Sequence, residues 1–251
     1  MMSKIIAIAN QKGGVAKTTT ALTLGVALHE QGKKVLLVDL DPQASLTIST
    51  GLEPYELKAS VYEALMGKVR TADIIAQGET IDLLPSTIDL AAAEVELASK
   101  MGRERLLAEA LEQVGQTYDY ILIDCPPSLG LLTVNALTAA DFVLVPVNAE
   151  YLAIRGLQLL LDTVAQVKRR LNPKLDLAGV LVTMLDTRVT HSAEVMQELR
   201  QTFGDKLLPC HIRKSIRFAE APLTGQSILG YAPDLDGARA YRDLAREVLK
   251  L

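Results

Sequence analysis

The chain has 251 residues, of which 49% are hydrophobic, and a formal net charge of −4 at pH 7. The hydrophobic content is sufficient for a large core, and the negative net charge means that any DNA binding must use a local basic patch. No apolar run in the sequence reaches the ~18 residues that a membrane span needs. The two cysteines, Cys125 and Cys210, lie too far apart in sequence to suggest a disulfide framework or a zinc site, so a reducing cytoplasm is the expected compartment.

Strand-like and helix-like segments alternate along the whole chain, which favours a parallel sheet. Most strand-like segments are continuous runs of Val, Ile and Leu, as is typical of strands buried on both faces. The pattern predicts an α/β fold, with a mostly parallel twisted sheet and helices on both faces, in a single domain over residues 1–251. The predicted strands span 4–9, 34–39, 80–84, 119–124, 142–147, 177–183 and 206–209. The predicted helices span 18–31, 60–66, 89–98, 102–115, 131–139, 152–171, 190–203 and 237–250.

The first predicted strand leads into a glycine-rich decapeptide, NQKGGVAKTT, over residues 10–19. A strand, a glycine loop, a Lys-Thr pair and a helix in this order predict a phosphate-binding loop. Glycines let several backbone N–H groups face anionic oxygens, and the helix N-terminus adds partial positive charge. We therefore expect Lys17 to reach the β- and γ-phosphates of a nucleotide and the Thr18 hydroxyl to bind Mg²⁺.

This loop departs from the usual G-x-x-x-x-G-K-[ST] pattern, because Gln11 and Ala16 occupy its glycine positions. Alanine at position 16 costs little if the backbone there is helical, and more if φ is positive. The loop also contains a second lysine, Lys12, which its own phosphates do not need. A Lys12 that reaches a neighbouring subunit's nucleotide would instead make ATP the link of a homodimer.

Two further apolar strands end in aspartates at the predicted ligand-binding edge of the sheet. Asp39 and Asp41 follow the second strand, and Asp41 is placed to orient a water molecule for attack on the γ-phosphate. Asp124 ends a later strand, where a carboxylate would hold Mg²⁺ directly or through water. The loop that follows Asp124 is predicted to act as a switch, whose shift reports whether the γ-phosphate is present.

The loop with its two lysines resembles the deviant Walker A box of the ParA/MinD family, and nearly the whole chain resembles a ParA/Soj-type partition ATPase. Residues 134–141, 146–151, 179–188 and 216–222 extend the likeness. The resemblance implies a P-loop NTPase with ATP and Mg²⁺ as cofactors, and Lys12, Lys17 and Asp41 as catalytic residues. It implies nucleotide binding by Lys12, Gly13, Gly14, Val15, Ala16, Lys17, Thr18 and Thr19, with Glu150 near the nucleotide across the dimer, and metal binding by Thr18 and Asp124.

The resemblance also implies that the ATP-bound homodimer binds double-stranded DNA without sequence preference. A ParB-like (Spo0J-like) partner would stimulate hydrolysis and release, in the cytoplasm on the nucleoid. Four cations near the ends of late strands are the DNA-binding candidates: Arg188, Arg213, Lys214 and Arg217. Arg188 and Arg217 match positions used for DNA in Soj-type relatives, but either could instead brace the core through a carboxylate such as Glu220.

Relatives with this fold also have functions other than DNA partition. One alternative is a positioning ATPase that follows nucleoid DNA with a non-DNA cargo, and another is a MinD-like membrane switch. No membrane partner is expected, because the C-terminal stripe over 237–251 has no Phe or Trp and fits docking on the sheet. A bridging iron–sulfur cluster is discounted, since only Cys125 lies near the predicted phosphate site.

Overall fold

Within the part of the chain that the structure describes, seven parallel strands form one central sheet. The computed structural model describes residues 3–150, 153–186 and 190–251. The strands run in the order β3-β2-β4-β1-β5-β6-β7, and every neighbouring pair is parallel. They are β1 (Lys4–Ile8), β2 (Val35–Asp39), β3 (Asp82–Leu84), β4 (Tyr120–Asp124), β5 (Phe142–Asn148), β6 (Asp176–Leu185) and β7 (Leu207–Arg213). The predicted fold class is confirmed, with the sheet entirely parallel.

Helices cover both faces of this sheet. Those that the sequence predicts are α1 (Lys17–Glu30), α3 (Val61–Leu65), α4 (Leu90–Leu97), α5 (Leu106–Glu112), α6 (Leu131–Ala139), α7 (Ala153–Arg170), α8 (Thr190–Phe203) and α11 (Asp236–Val248). Three short helices were not predicted: α2 (Ser45–Ser49), α9 (Arg217–Glu220) and α10 (Ile228–Tyr231). None of the helices in the described ranges is both long and apolar enough to cross a bilayer.

The alternation of side chains along β1 divides the core into two layers. Ile6 and Ile8 are fully buried on one face, in the layer that contains α1, α10 and α11. Ala7, which points the other way, is buried in the layer that contains α3 to α8. Both faces are therefore dry, which explains why the strands carry continuous apolar runs.

The C-terminal helix α11 docks on the sheet, as its apolar stripe indicates. Ala238, Tyr241, Leu244 and Ala245 are completely buried beside α1 and β7. The Tyr241 hydroxyl lies 3.0 Å from the Thr20 hydroxyl of α1, so the stripe is fixed by a polar contact as well as by packing. This apolar face is consequently part of the core and is not a membrane-binding surface.

Candidate functional site

The loop between β1 and α1 lies at the carboxyl edge of the sheet, next to the ends of β2 and β4. Gly14 and Ala16 in this loop both have positive φ, +70° and +65°. Ala16 therefore has the positive φ that the sequence analysis considered costly, and not the helical backbone that it considered cheap. The left-handed conformation of an alanine costs roughly 1–2 kcal/mol of conformational free energy. The Thr183 hydroxyl of β6 donates to the Val15 carbonyl at 3.1 Å, which holds the loop against the sheet.

Lys17 begins α1 and points into this edge. Its side chain is largely buried, with the residue 7% exposed, and Nζ donates to the Lys12 carbonyl oxygen at 3.3 Å. Burial lowers the pKa of Lys17, while attraction to Asp124 acts in the opposite direction. A buried ammonium group in a glycine loop has few hydrogen-bond acceptors, so an anionic ligand would supply the missing ones.

Thr18 and Asp124 form the candidate metal-binding pair. The Thr18 hydroxyl donates to Asp124 Oδ2 at 2.6 Å, and the aspartate is 1% exposed. Asp124 Oδ1 is buried without a hydrogen-bond partner among the described residues. Burial, followed by repulsion from Asp39, raises the pKa of Asp124 well above its usual range. An unsatisfied carboxylate oxygen beside a hydroxyl is a donor set that suits Mg²⁺.

The end of β2 provides a second pair of carboxylates. Asp39 is completely buried, and its Oδ2 accepts hydrogen bonds from the Thr47 amide at 2.8 Å and hydroxyl at 2.7 Å. Burial raises the pKa of Asp39 to about 6. Asp41 is half-buried and accepts a hydrogen bond from the Gln43 amide at 2.9 Å. Asp39 therefore fixes the backbone of the loop, and Asp41 is the more accessible of the two carboxylates.

Thr47 belongs to this site, although no sequence motif indicated it. Its hydroxyl accepts a hydrogen bond from the Ser86 amide at 3.0 Å while donating to Asp39. This connects the loop after β2 with the segment that follows β3. The alternation of strands and helices gives no signal for such a bond, because α2 has only five residues and no complete amphipathic pattern.

Lys12 and Glu150 lie together at the rim of the phosphate loop. Lys12 Nζ forms an ion pair with the Glu150 carboxylate of the same chain and is 3.4 Å from Asn148 Oδ1. Both side chains are exposed, 43% for Lys12 and 61% for Glu150. The Asn10 side chain fixes the position of the loop nearby, because it donates to the Pro146 carbonyl at 2.7 Å and accepts from the Lys12 amide at 2.9 Å. The two rim residues of the predicted site are thus brought together within one chain.

An apolar cavity of about 230 Å³ adjoins the loop on the β6–β7 side. Ala16 and Thr19 form its wall toward the phosphate loop, and Met184, Phe218 and Tyr241 form much of the remainder. Met184 takes a positive φ of +52° where β6 ends. No sequence pattern indicates this cavity, because its lining residues come from separate segments of the chain that only the fold brings beside the loop.

The four candidate DNA-binding cations lie in different environments. Arg213 and Lys214 are exposed at the end of β7 and also line the cavity beside the phosphate loop. Arg217 donates to Glu220 at 3.0 Å, which is the contact foreseen by the bracing alternative, yet its side chain remains 54% exposed. The Tyr231 hydroxyl donates to the same carboxylate. Arg188 lies outside the described residues.

Comparisons with known proteins show which family the chain is similar to. The family model described as an AAA domain, AAA_31, matches residues 3–177. The sporulation initiation inhibitor protein Soj of Bacillus subtilis is 50% identical, with 98% of each chain covered. The chromosome partitioning protein ParA of Caulobacter vibrioides is 43% identical over 98% of this chain and 94% of its own. A Mycobacterium smegmatis structure, named cobyrinic acid a,c-diamide synthase with bound ATP analog and magnesium, is 42% identical with a TM-score of 0.84, covering 99% of this chain and 95% of its own.

Proposed function

The chain belongs to the ParA/Soj family of P-loop ATPases, and we propose that it segregates DNA by binding it as an ATP-bound dimer and leaving it after hydrolysis. It is an ATPase, with ATP and Mg²⁺ as its cofactors. The observation that carries the proposal is the Thr18–Asp124 pair beside Lys17, with one buried carboxylate oxygen left to satisfy. The partition role is supported by the named functions of the relatives from Bacillus and Caulobacter.

Phosphate binding and hydrolysis are assigned to different parts of the edge. The amides of Gly13 and Gly14 and the ammonium group of Lys17 would bind the β- and γ-phosphates. Thr18 and Asp124 would hold Mg²⁺, which when bound offsets the charge on the phosphate oxygens. Asp41 would orient the attacking water molecule, since one of its oxygens is engaged by the Gln43 amide and the other can accept from water.

The nucleoside is assigned to the apolar cavity beside the loop. Ala16 and Thr19 separate this cavity from the phosphate-binding amides, which is where a base attached to bound phosphates would extend. Met184 and Phe218 offer a polarisable and an aromatic surface to a planar ring. Arg213 and Lys214 at the rim then lie close to both the nucleotide and the outer surface, so their DNA contacts would depend on the ligand.

Dimerisation is assigned to Lys12. Its pair with Glu150 is solvent-exposed, and such pairs contribute only about 0–1 kcal/mol, so Lys12 can leave it at small cost. A nucleotide of a second copy would offer Lys12 several phosphate charges in place of one carboxylate. Glu150 would then lie next to the shared nucleotide, at the boundary between the two subunits.

DNA binding is assigned to the cations at the ends of β6 and β7. A binder without sequence preference needs cations near phosphates and no contact with base edges. Arg217 and Lys214 are exposed on this surface, and Arg188 is included as a proposal from sequence. In the cytoplasm, a ParB-like partner on the nucleoid would stimulate ATP hydrolysis and so separate the dimer. Each monomer would then offer DNA only half of the dimer's cations and would be released.

A DNA titration with ATP, ADP and no nucleotide tests the proposal. We expect tight DNA binding only with ATP. The Asp41→Ala variant should stay on DNA longer than the wild type, because it would bind ATP without hydrolysing it. Lys17→Ala is the control that removes phosphate binding. If each subunit neutralises about four phosphates, log Kobs should fall with log salt with a slope of about −7. Equal DNA affinity with and without ATP, or rapid turnover by Asp41→Ala, would contradict the proposal.

A further inference from the structure

Glu94 on α4 has one carboxylate oxygen that is buried beside the loop following Asp124. That oxygen, Oε1, has no hydrogen-bond partner among the described residues. A Cβ built on Gly130, the last residue of the loop, would lie only 2.2 Å from it. Gly130 has a φ of −76°, which any residue adopts, so this glycine provides room for the carboxylate rather than an unusual backbone conformation.

The loop over residues 125–130, which we call the switch loop, connects this carboxylate with the phosphate site. Its first residue is fixed to the sheet, because the Cys125 amide donates to the Ile8 carbonyl at 3.2 Å. Farther along, Pro127 lies against the phosphate loop, since a Cβ on Gly13 would be 3.9 Å from the Pro127 side chain. A displacement at the phosphate loop would therefore move the middle of the switch loop and be transmitted to its end beside α4.

The switch loop ends at the N-terminus of α6, where backbone amides need acceptors. The Val134 amide bonds to the Gly130 carbonyl at 3.1 Å and is the first to complete a helical turn, so the amides before it have no acceptor within α6. Gly130 supplies no side-chain cap, and the first turn of α6 contains no acid. Glu94 thus places an unsatisfied acceptor beside a helix end that carries amide donors and partial positive charge.

We propose that Glu94 is a positioning residue for ATP hydrolysis, whose carboxylate binds the first amides of α6 when a γ-phosphate draws in the switch loop. The proposal rests on the phosphate-site assignments of the proposed function. An unsatisfied buried acceptor raises the free energy of the described loop position, and a bond to the amides would recover it. Glu94 would therefore favour the loop position that forms around the γ-phosphate, and would act through the switch loop and Asp124 without touching the nucleotide.

Glu94→Met tests this role, with Glu96→Met on the same helix as the matched control. Methionine keeps the length of the side chain but is only a weak acceptor, whereas the Glu96 carboxylate already accepts from the Tyr62 hydroxyl at 2.9 and 3.0 Å. Hydrolysis by the full chain is followed under single-turnover conditions with saturating Mg²⁺-ATP, and nucleotide affinity is measured with a fluorescent ATP analogue. We expect Glu94→Met to slow hydrolysis at least about tenfold, with affinity within about twofold of the wild type. Glu96→Met should leave both quantities unchanged.

Urea unfolding of the same variants separates positioning from a structural role. Glu94→Met should be at least as stable as the wild type, because an apolar group of similar shape replaces an unsatisfied carboxylate oxygen. Glu94→Gln, whose amide oxygen still accepts a hydrogen bond but carries no charge, should hydrolyse ATP at an intermediate rate. A wild-type rate in Glu94→Met, or slow hydrolysis that is matched by a loss of stability, would overturn the proposal.

Gly130→Ala reaches the same contact from the loop side. Its methyl group would displace the Glu94 carboxylate, so hydrolysis should slow in this variant, and little further when Glu94→Met is added. Losses that multiply in the double variant would show that the two residues act separately, which would overturn the proposal. Lys17→Ala tells the two levels of proposal apart. If this variant still binds ATP as the wild type does, the phosphate-site assignment fails; if it loses ATP while Glu94→Met hydrolyses at the wild-type rate, only the role of Glu94 fails.

Discussion

Single residues at the ligand edge adopt conformations that their type disfavours. Ala16 and Ala44 are both left-handed, although glycine is the residue that takes this conformation without strain. They lie at the N-termini of α1 and α2, the two helices that begin beside the phosphate loop and the Asp41 loop. Strain that persists at a ligand site is commonly held there by the surrounding structure.

Replacement of Ala16 by glycine measures this strain. We expect Ala16→Gly to raise the free energy of unfolding by about 0.5–1 kcal/mol, because relief of the left-handed alanine exceeds the added chain entropy of glycine. Gly14→Ala is the matched control. It has the same sign of φ and no atom within 4 Å of an added Cβ, so it should lose stability through backbone strain alone. Urea unfolding of the nucleotide-free chain measures both variants, and a loss of stability in Ala16→Gly would contradict the argument.

At the scale of elements, the sequence predicts best those elements that are long enough to show a period. All seven described strands, the seven described helices of seven residues or more and the five-residue α3 follow from apolar runs and helical spacing, with ends displaced by a few residues. The helices α2, α9 and α10 have four or five residues, and no local pattern indicated them. Thr47 lies in one of them, and its bond to Asp39 depends on a turn that no local pattern specifies.

The Asp39–Thr47–Ser86 connection predicts a pH-dependent loss of stability. Thr47→Val keeps the shape but removes one bond to the buried carboxylate and one acceptor for the Ser86 amide, a loss of about 2–4 kcal/mol. The pKa of Asp39 is raised from 3.8 to about 6 by folding, so the folded state binds the proton more tightly and the wild type loses stability as pH rises between these values. Thr47→Val raises this pKa further, and its loss should therefore be larger at pH 8 than at pH 5.

Thr50→Val provides the comparison for that measurement. Its hydroxyl donates to the Thr47 carbonyl at 2.7 Å at the end of the same helix, without contacting a carboxylate. We expect a loss of about 1 kcal/mol that does not change with pH. Thermal unfolding without Mg²⁺ at the two pH values follows both variants. A pH-independent loss in Thr47→Val would mean that Asp39 does not respond to its hydroxyl partner.

At the scale of the whole molecule, the parallel sheet explains why the residues of the predicted phosphate site could be expected to lie together. The ends of β1, β2 and β4 are in register, with Asp39 and Ile8 both opposite Asp124, so motifs that follow each strand must meet at one edge. The basic surface has no such constraint. Arg217 pairs with Glu220 on α9, a short helix that the sequence did not indicate, and an arginine in a mixed sequence does not show whether it faces a carboxylate or solvent.

Reversal of Arg217 decides between the two roles of this side chain. Arg70→Glu is the matched control, because Arg70 is also exposed and also pairs with a carboxylate three residues later, Asp73, in the acidic part of the chain. If Arg217 contacts DNA, Arg217→Glu should keep the ATP dimer and lower DNA affinity at least about tenfold, since two contacts are lost and two repulsive charges are gained per dimer. Arg70→Glu should leave DNA affinity within about twofold of the wild type, because exposed pairs of this kind contribute little. Mobility shifts at two salt concentrations measure affinity and slope together. Unchanged DNA retention in Arg217→Glu, with reduced thermal stability, would assign this arginine to bracing through Glu220.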